Sequence, residues 1–137
     1  MKITGFTAQL DSLAAMSNKY GANPEYVLAG GGNTSFKSDD YLWIKGSGTS
    51  LATIKGEDFV VLERAALAQM WNAKYPEDEA QREAAVLEDM MDARIKGESR
   101  RPSVETLLHD LFPQKYILHV HPAIVNGITC LHSSARI

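Results

Sequence analysis

The chain has 137 residues, of which 45% are hydrophobic and 23% charged; this is the composition of an ordinary globular protein and the length of one domain. Its 14 basic and 17 acidic residues give a net charge of −3 without a basic block, which argues against a nucleic-acid-binding protein. A single cysteine, Cys130, excludes an internal disulfide framework and an all-cysteine zinc site. No signal peptide and no apolar run of about 18 residues is present, so we expect a cytoplasmic protein that does not enter a membrane.

The first half of the chain predicts a helix followed by a hairpin. Apolar residues at helical spacing predict a helix over 7–21, and a second short element is expected around 26–28. Two strand-like runs, 34–37 and 41–45, flank a polar turn and predict a β-hairpin.

The second half mixes helices and strands. Its periodicity predicts the following elements in chain order: a strand at 59–62, helices over 63–74 and 77–96, a helix that starts at 103 and runs through 112, and a strand at 116–120. Because strands and helices alternate irregularly around at least one hairpin, we expect an α/β fold with a mixed or mostly antiparallel sheet.

A His-x-His pair at the end of the last strand is the sharpest chemical signal. Residues i and i+2 of a strand project from the same face, so His119 and His121 could converge on one divalent metal ion. The alternative is two histidines that ordinary hydrogen bonds satisfy at a strand end. A third ligand would have to come from His109, His132, Cys130 or a carboxylate.

A second cluster surrounds the start of the helix after residue 102. Ser103 is typical of a helix N-cap, which would place Glu105 in the first turn, beside unpaired amides and the positive end of the helix dipole. Glu105 therefore either complements that dipole or acts as a general acid and base. The local sequence leaves both possibilities open.

Two glycine-rich segments, 30–35 and 46–50, flank the predicted hairpin. Glycine exposes successive backbone amides, and Asn33, Thr34 and Ser47 add neutral donors, which suits an anionic oxygen such as that of a phosphate. Neither segment has the pattern of a P-loop or of a dinucleotide-binding turn. Tight turns around a hairpin are the alternative interpretation.

Together and in this order, these clusters resemble the class II aldolase/adducin family. The matching segments are Gly32 to Ser35, Lys45 to Thr49, Pro102 to Glu105 with His109, and His119 to Pro122. The segment around Gly46 is most similar to the aldolase part of bifunctional rhamnulose-1-phosphate aldolase/alcohol dehydrogenases, in which a short-chain dehydrogenase domain follows on the same polypeptide.

The resemblance implies an α/β/α sandwich around a mainly antiparallel, mixed sheet, often assembled as a homo-tetramer. It also implies that the protein cleaves a ketose 1-phosphate to dihydroxyacetone phosphate and an aldehyde. It implies that His119 and His121 bind zinc or another divalent metal and that Glu105 moves the proton beside the substrate carbonyl. The positions that it implies for holding the sugar phosphate are Gly32, Asn33, Thr34, Ser47, Gly48 and Ser103.

Two departures from the family pattern bear on function. Val104 stands where close aldolase relatives carry a second serine, which removes one hydroxyl from the implied phosphate site. The family's third zinc histidine lies well downstream of the His-x-His pair, and His132 comes too early to be that ligand. We therefore expect residues 1–137 to be the N-terminal portion of a class II aldolase-type domain. A non-catalytic adducin-like scaffold, an inactive fragment of a bifunctional enzyme, and epimerase or dehydratase chemistry are the alternatives.

Overall fold

The computed structural model describes residues 3–130, which form five α-helices and four β-strands. In chain order these are α1 (Thr7–Gly21), β1 (Asn33–Lys37), β2 (Tyr41–Ile44), a short 3-10 helix (Gly56–Asp58), β3 (Val60–Glu63), α2 (Arg64–Met70), α3 (Glu79–Asp92), α4 (Thr106–Leu111), β4 (Tyr116–His119) and α5 (Ala123–Thr129). None of the helices within 3–130 is long and apolar enough to cross a membrane.

The strands form one antiparallel sheet in the order β3-β2-β1-β4. The predicted hairpin is confirmed, with Ser35 opposite Ile44. Strand β4 returns from far along the chain to pair with the other side of β1, where Asn33 lies opposite His119. This pairing brings the start of the first glycine-rich segment to the end of the His-x-His strand.

The sheet is covered by helices on both faces. Alternate residues of a strand point to opposite faces, and Trp43 accordingly packs with α1 while its neighbours Leu42 and Ile44 pack with α2 and α3. Strand β3 alternates in the same way, with Val61 on the α1 side. The expected α/β/α arrangement around an antiparallel sheet is therefore confirmed.

Several predicted elements are shorter in the structure, and one is absent. Residues 26–28 form a turn and not an element of their own, because the amides of Tyr26 and Val27 both donate to the Asn23 carbonyl. The helix expected over 63–74 ends at Met70.

The other boundary differences have local hydrogen-bonding causes. Helix α3 begins only at Glu79 because the Asp78 side chain caps it. It ends at Asp92 because the following residues pair with β3, the Ile95 amide donating to the Val61 carbonyl at 3.1 Å.

Candidate active site

Helix α4 starts three residues later than its sequence indicates. The Ser103 hydroxyl does accept a hydrogen bond from the Glu105 amide, at 3.2 Å, but the helix begins at Thr106. Glu105 is therefore the N-cap residue and does not lie in the first turn. Its carboxylate is consequently placed by neighbouring side chains and not by the interior of a helix.

Asn33 fixes the Glu105 carboxylate. This asparagine is buried at the start of β1, and its amide nitrogen donates both to the Ser103 hydroxyl and, at 3.0 Å, to Glu105 Oε2. Asn33, one of the residues implied for phosphate binding, thus contacts the implied catalytic carboxylate, and Ser103, another, contacts the Asn33 side chain and the Glu105 backbone amide.

His119 reaches the same carboxylate from the end of β4. Its Nδ1 lies 3.1 Å from Glu105 Oε2, and both side chains are about one-third exposed. Because His119 pairs with Asn33 across the sheet, strand register alone brings the histidine to the carboxylate that Asn33 holds.

His109 lies beneath this pair and is fully buried. Its Nδ1 shares a 2.7 Å hydrogen bond with the Ser35 hydroxyl. Burial lowers the pKa of His109 to about 4, and the nearby Glu105 carboxylate opposes the shift only in part. The ring is therefore neutral at pH 7, and one of its nitrogens carries a free lone pair.

The donor set suits a divalent metal ion. Glu105, His109 and His119 each offer a ligand atom, and the three atoms lie within 4.8 Å of one another. Among the described residues, three buried side-chain atoms make no hydrogen bond: Asn33 Oδ1, His109 Nε2 and His119 Nδ1. His119 Nδ1 lies close to Glu105 Oε2, but the two atoms do not form a hydrogen bond. All three belong to this one cluster, which is where a bound group would satisfy them.

His121 lies just beyond the end of β4, so the strand argument for its direction does not apply. The chain leaves the sheet there because the His121 amide donates to the Tyr26 carbonyl, at 2.9 Å. Its ring nevertheless stacks on that of His119, with centroids 4.7 Å apart. His121 therefore stands beside the cluster, while its role as a ligand stays a prediction. The other candidate ligand, His132, lies outside the described residues.

The two glycine-rich segments lie on either side of the cluster. Gly32 has a φ of +73°, and a Cβ there would come within 3.1 Å of the His119 carbonyl oxygen. Gly48 also has a positive φ, of +83°, but the space around it is open to at least 4 Å. The first segment is packed against β4, whereas the second leaves room above its backbone.

Thr34 and Ser47 have partners away from Glu105. The Thr34 hydroxyl is fully buried on the opposite face of β1, where it shares a 2.7 Å hydrogen bond with Ser17 of α1. The Ser47 hydroxyl donates to the Pro102 carbonyl at 3.1 Å and so connects the second glycine-rich segment to the residue before Ser103. The geometry brings Ser47 near the site and leaves the Thr34 hydroxyl outside it.

Sequence reasoning left His109 as one of several possible third ligands. The spacing contains a signal that distinguishes it, because residues four apart on a helix lie on one face and His109 follows Glu105 by four. An open groove of about 450 Å³ runs between α4 and the free edge of β4 and reaches both His109 and His119.

The fold and the site define an α/β/α domain with a carboxylate–imidazole centre at the paired ends of two strands. The family model described as the class II aldolase and adducin N-terminal domain matches residues 11–137, and the chain belongs to this family.

Two relatives are about equally similar in sequence. The chain is 30% identical to an uncharacterized oxidoreductase of Bacillus subtilis, YuxG, over 93% of its own length. It is also 30% identical to the N-terminal class II aldolase domain of a conserved protein from Thermoplasma acidophilum, with a TM-score of 0.77 over 96% of the chain. The chain spans only 19% of the first protein and 63% of the second.

A more distant solved structure shares the fold. The l-fuculose-1-phosphate aldolase of Thermus thermophilus matches 91% of this chain and 52% of its own, with 17% identity and a TM-score of 0.53. At this identity the likeness concerns the fold alone.

Proposed function

We propose that this chain is the aldolase-type part of a metal-dependent lyase that cleaves a ketose 1-phosphate, such as rhamnulose 1-phosphate, to dihydroxyacetone phosphate and an aldehyde. The observation that carries the proposal is the convergence of Glu105 with His119 and His109, in a cluster that holds three buried polar atoms without partners. Family membership supports the same chemistry.

The metal would be held by His119 and His121, with Glu105 and His109 within reach of it. A zinc or similar divalent ion bound there supplies Lewis-acid polarisation of the substrate's carbonyl oxygen. Ser35 keeps the His109 ring in one orientation, as partners behind a metal site commonly do.

Glu105 is the proton-transfer residue of the proposed reaction. In cleavage, the hydroxyl on the carbon that becomes the aldehyde loses its proton to solvent as the carbon–carbon bond breaks, and the bonding electrons remain on the carbon next to the carbonyl. The carboxyl group of Glu105, protonated from solvent, then gives a proton to that carbon; in the condensation direction the carboxylate removes it. Asn33 donates to the carboxylate and so holds it beside the His119 imidazole, while the Ser103 hydroxyl accepts hydrogen bonds from the Asn33 amide and from the Glu105 backbone amide. Both are therefore positioning residues for this step.

The substrate's phosphate would lie between the glycine-rich segments. The open space above Gly48 supports this placement, as does the contact between Asn33 and Ser103, which brings two of the implied phosphate-binding residues together. Ser47 supports it indirectly, through its hydrogen bond to the Pro102 carbonyl. A homo-oligomer, in the family a tetramer, and a cytoplasmic location belong to the same proposal.

A second candidate function is a binding or scaffolding role without catalysis. Two observations favour it: the matching family includes adducin head domains, and the chain spans only part of each similar protein. Under this alternative the chain is an adducin-like scaffold that does not use Glu105 for chemistry, or it is by itself an inactive fragment of a larger bifunctional enzyme. An epimerase would share the metal site and differ in product.

The substitution Glu105→Gln separates these functions. It keeps the side-chain shape and removes the group that carries the proton, so we expect kcat for ketose 1-phosphate cleavage to fall by about a hundredfold or more, with zinc content unchanged. Glu83→Gln, the same change at an exposed position of α3, is the matched control. Equal turnover in the Glu105 and Glu83 variants would refute the acid–base role, and formation of an epimer in place of an aldehyde would identify the epimerase.

A further inference from the structure

A buried hydrogen bond between Ser35 and His109 lies beside the Glu105 carboxylate. Ser35 stands two residues after Asn33 on β1, so both side chains point from the same face of the sheet, towards α4 and its N-cap. Ser35 and His109 are both fully buried, and the Ser35 hydroxyl lies 2.7 Å from His109 Nδ1. Either atom could carry the shared hydrogen, and the two arrangements give the neutral His109 ring opposite tautomers.

The hydrogen bonding of Ser35 favours one of the two arrangements. In the described part of the chain, His109 Nδ1 is the one hydrogen-bond partner of the Ser35 hydroxyl. If Nδ1 carried the hydrogen, the hydroxyl would accept it, and the hydroxyl hydrogen would be buried without an acceptor, which is costly. If the hydroxyl donates, its hydrogen is satisfied. The lone pair of the neutral ring is then on Nδ1, and the ring hydrogen is on Nε2.

The charge next to Nε2 favours the same tautomer. His109 Nε2 makes no hydrogen bond among the described residues, and His109 and Glu105 offer atoms within 4.8 Å of each other. Burial lowers the pKa of His109, and the Glu105 carboxylate opposes this shift because its negative charge attracts a proton on the ring. By the same attraction, an N–H that faces the carboxylate is more stable than a lone pair that faces it.

Lys45 adds a positive charge to the surroundings of the carboxylate. It is 7% exposed, and its ammonium donates to the carbonyls of Gly30, at 2.8 Å, and Gly32, at 3.2 Å. Burial lowers the pKa of Lys45, and the Glu105 carboxylate opposes this shift too, so the two charges attract each other. The cluster is therefore arranged around a negative charge on Glu105, to which an N–H of His109 can donate.

We propose that Ser35 fixes His109 as a hydrogen-bond donor whose Nε2–H faces the Glu105 carboxylate, so that His109 positions this carboxylate and does not ligate the metal ion. A nitrogen that carries a hydrogen has no lone pair to offer a metal. The tautomer follows from the hydrogen bonding of Ser35, whereas its effect on catalysis rests on the proposed function. Ser35 and His109 are thus positioning residues for the proton transfer.

NMR spectra of the imidazole nitrogens in the isotope-labelled full chain, treated with chelator, measure the tautomer directly. The signals of His109 are identified by their absence from the spectrum of His109→Gln. We expect a protonated Nε2 and an unprotonated Nδ1 at neutral pH, both before and after zinc is added. A protonated Nδ1 in the metal-free chain, or a change of Nε2 to the unprotonated, metal-bound form on addition of zinc, would overturn the proposal.

The substitution Ser35→Ala tests whether the hydroxyl sets the tautomer. It leaves His109 Nδ1 without its donor, so we expect a mixture of both tautomers and a kcat about tenfold lower with KM nearly unchanged, which is the effect of about one hydrogen bond. Ser17→Ala is the matched control, because the Ser17 hydroxyl is also fully buried but bonds to Thr34 on the opposite face of the sheet. It should leave both the His109 tautomer and kcat unchanged.

Thermal unfolding of both variants checks that the effects do not come from loss of the fold. Unchanged His109 signals in Ser35→Ala, or an equal change in Ser17→Ala, would overturn the assignment, as would an unchanged kcat of Ser35→Ala in a chain that cleaves ketose 1-phosphates. A chain in which His109 has the expected tautomer but which neither binds zinc nor cleaves these substrates would instead overturn the proposed function alone.

Discussion

Glu105 owes its position to side chains that come from three separate parts of the sequence. Asn33 from β1 and Ser103 from the segment before α4 contact it, and His119 from β4 approaches its carboxylate to 3.1 Å. The sequence pattern Ser-x-Glu indicates only a capped helix, which is why local sequence left the role of Glu105 open. The long-range pairing of β1 with β4 favours the acid–base interpretation, because it places the His119 imidazole beside the carboxylate.

His109 predicts a specific pH dependence of stability. Its pKa is about 4 in the folded protein, against about 6.5 in an unfolded chain, so the unfolded state binds more protons between these values. The contribution of the neutral, buried His109 ring to the unfolding free energy is complete above about pH 6.5 and decreases as the pH falls towards 4. The shift corresponds to about 3 kcal/mol of unfolding free energy.

Denaturant unfolding of chelator-treated protein at several pH values measures this effect. We expect the unfolding free energy of His109→Gln to decrease less between pH 6.5 and 4 than that of the unmodified protein, although the variant starts from a lower stability. Parallel pH profiles for the two proteins would show that His109 does not titrate as its burial predicts.

The elements show which parts of the fold local sequence determines. Helix α1 and the β1–β2 hairpin follow from periodicity and turn composition, and both have close to their predicted bounds. The ends of α3 and β4 do not follow from local sequence. Hydrogen bonds to distant residues, such as the one from the Ile95 amide to the Val61 carbonyl, determine where these elements end. Likewise, the direction of Thr34 depends on which face of β1 the helix α1 covers.

The positive-φ glycines of the two glycine-rich segments, Gly32 and Gly48, should respond differently to substitution by alanine. At Gly32 a methyl group meets both backbone strain and contacts near 3.0 Å with Leu51, so we expect Gly32→Ala to lower the unfolding free energy by about 3 kcal/mol. At Gly48 only the backbone strain remains, so we expect Gly48→Ala to lower the unfolding free energy by about 1–2 kcal/mol. The methyl group at Gly48 would instead occupy the proposed phosphate space and raise KM.

Chemical denaturation and steady-state kinetics on the same preparations separate the two effects. Gly30→Ala is the control for stability, because Gly30 has no positive φ and no atom within 4 Å of an added Cβ; its unfolding free energy should change by less than about 0.5 kcal/mol. Equal losses of stability at Gly32 and Gly48 would contradict the close packing of the first segment against β4.

At the scale of the whole molecule, the site lies at the margin of the described sheet. Strand β4 pairs with β1 on one side only, and it carries His119 at its end. Helix α5 follows with no buried residue, and its apolar side chains Ile124, Val125 and Ile128 are exposed. Within the described residues, the candidate ligand atoms come from α4 with its N-cap and from the end of β4. Whether this set retains a metal is therefore the central question about the chain.

Sequence motifs were sufficient for the family and for the residues that gather around Glu105, because four motifs in order specify one fold. They were insufficient for the supporting contacts of Ser35 and Lys45. These contacts depend on atoms that meet only after β4 and α4 have packed on the hairpin.

The most direct test of a metal centre at His119 is the zinc content of the purified chain. It is measured after incubation with zinc and thorough dialysis. We expect close to one zinc per chain in the unmodified protein and a clear loss in His119→Ala, because that substitution removes a ligand from a site with few of them. Glu83→Gln, at an exposed position of α3, is the control and should retain zinc. No zinc in the unmodified protein, or equal zinc in His119→Ala, would contradict a metal centre built on this residue.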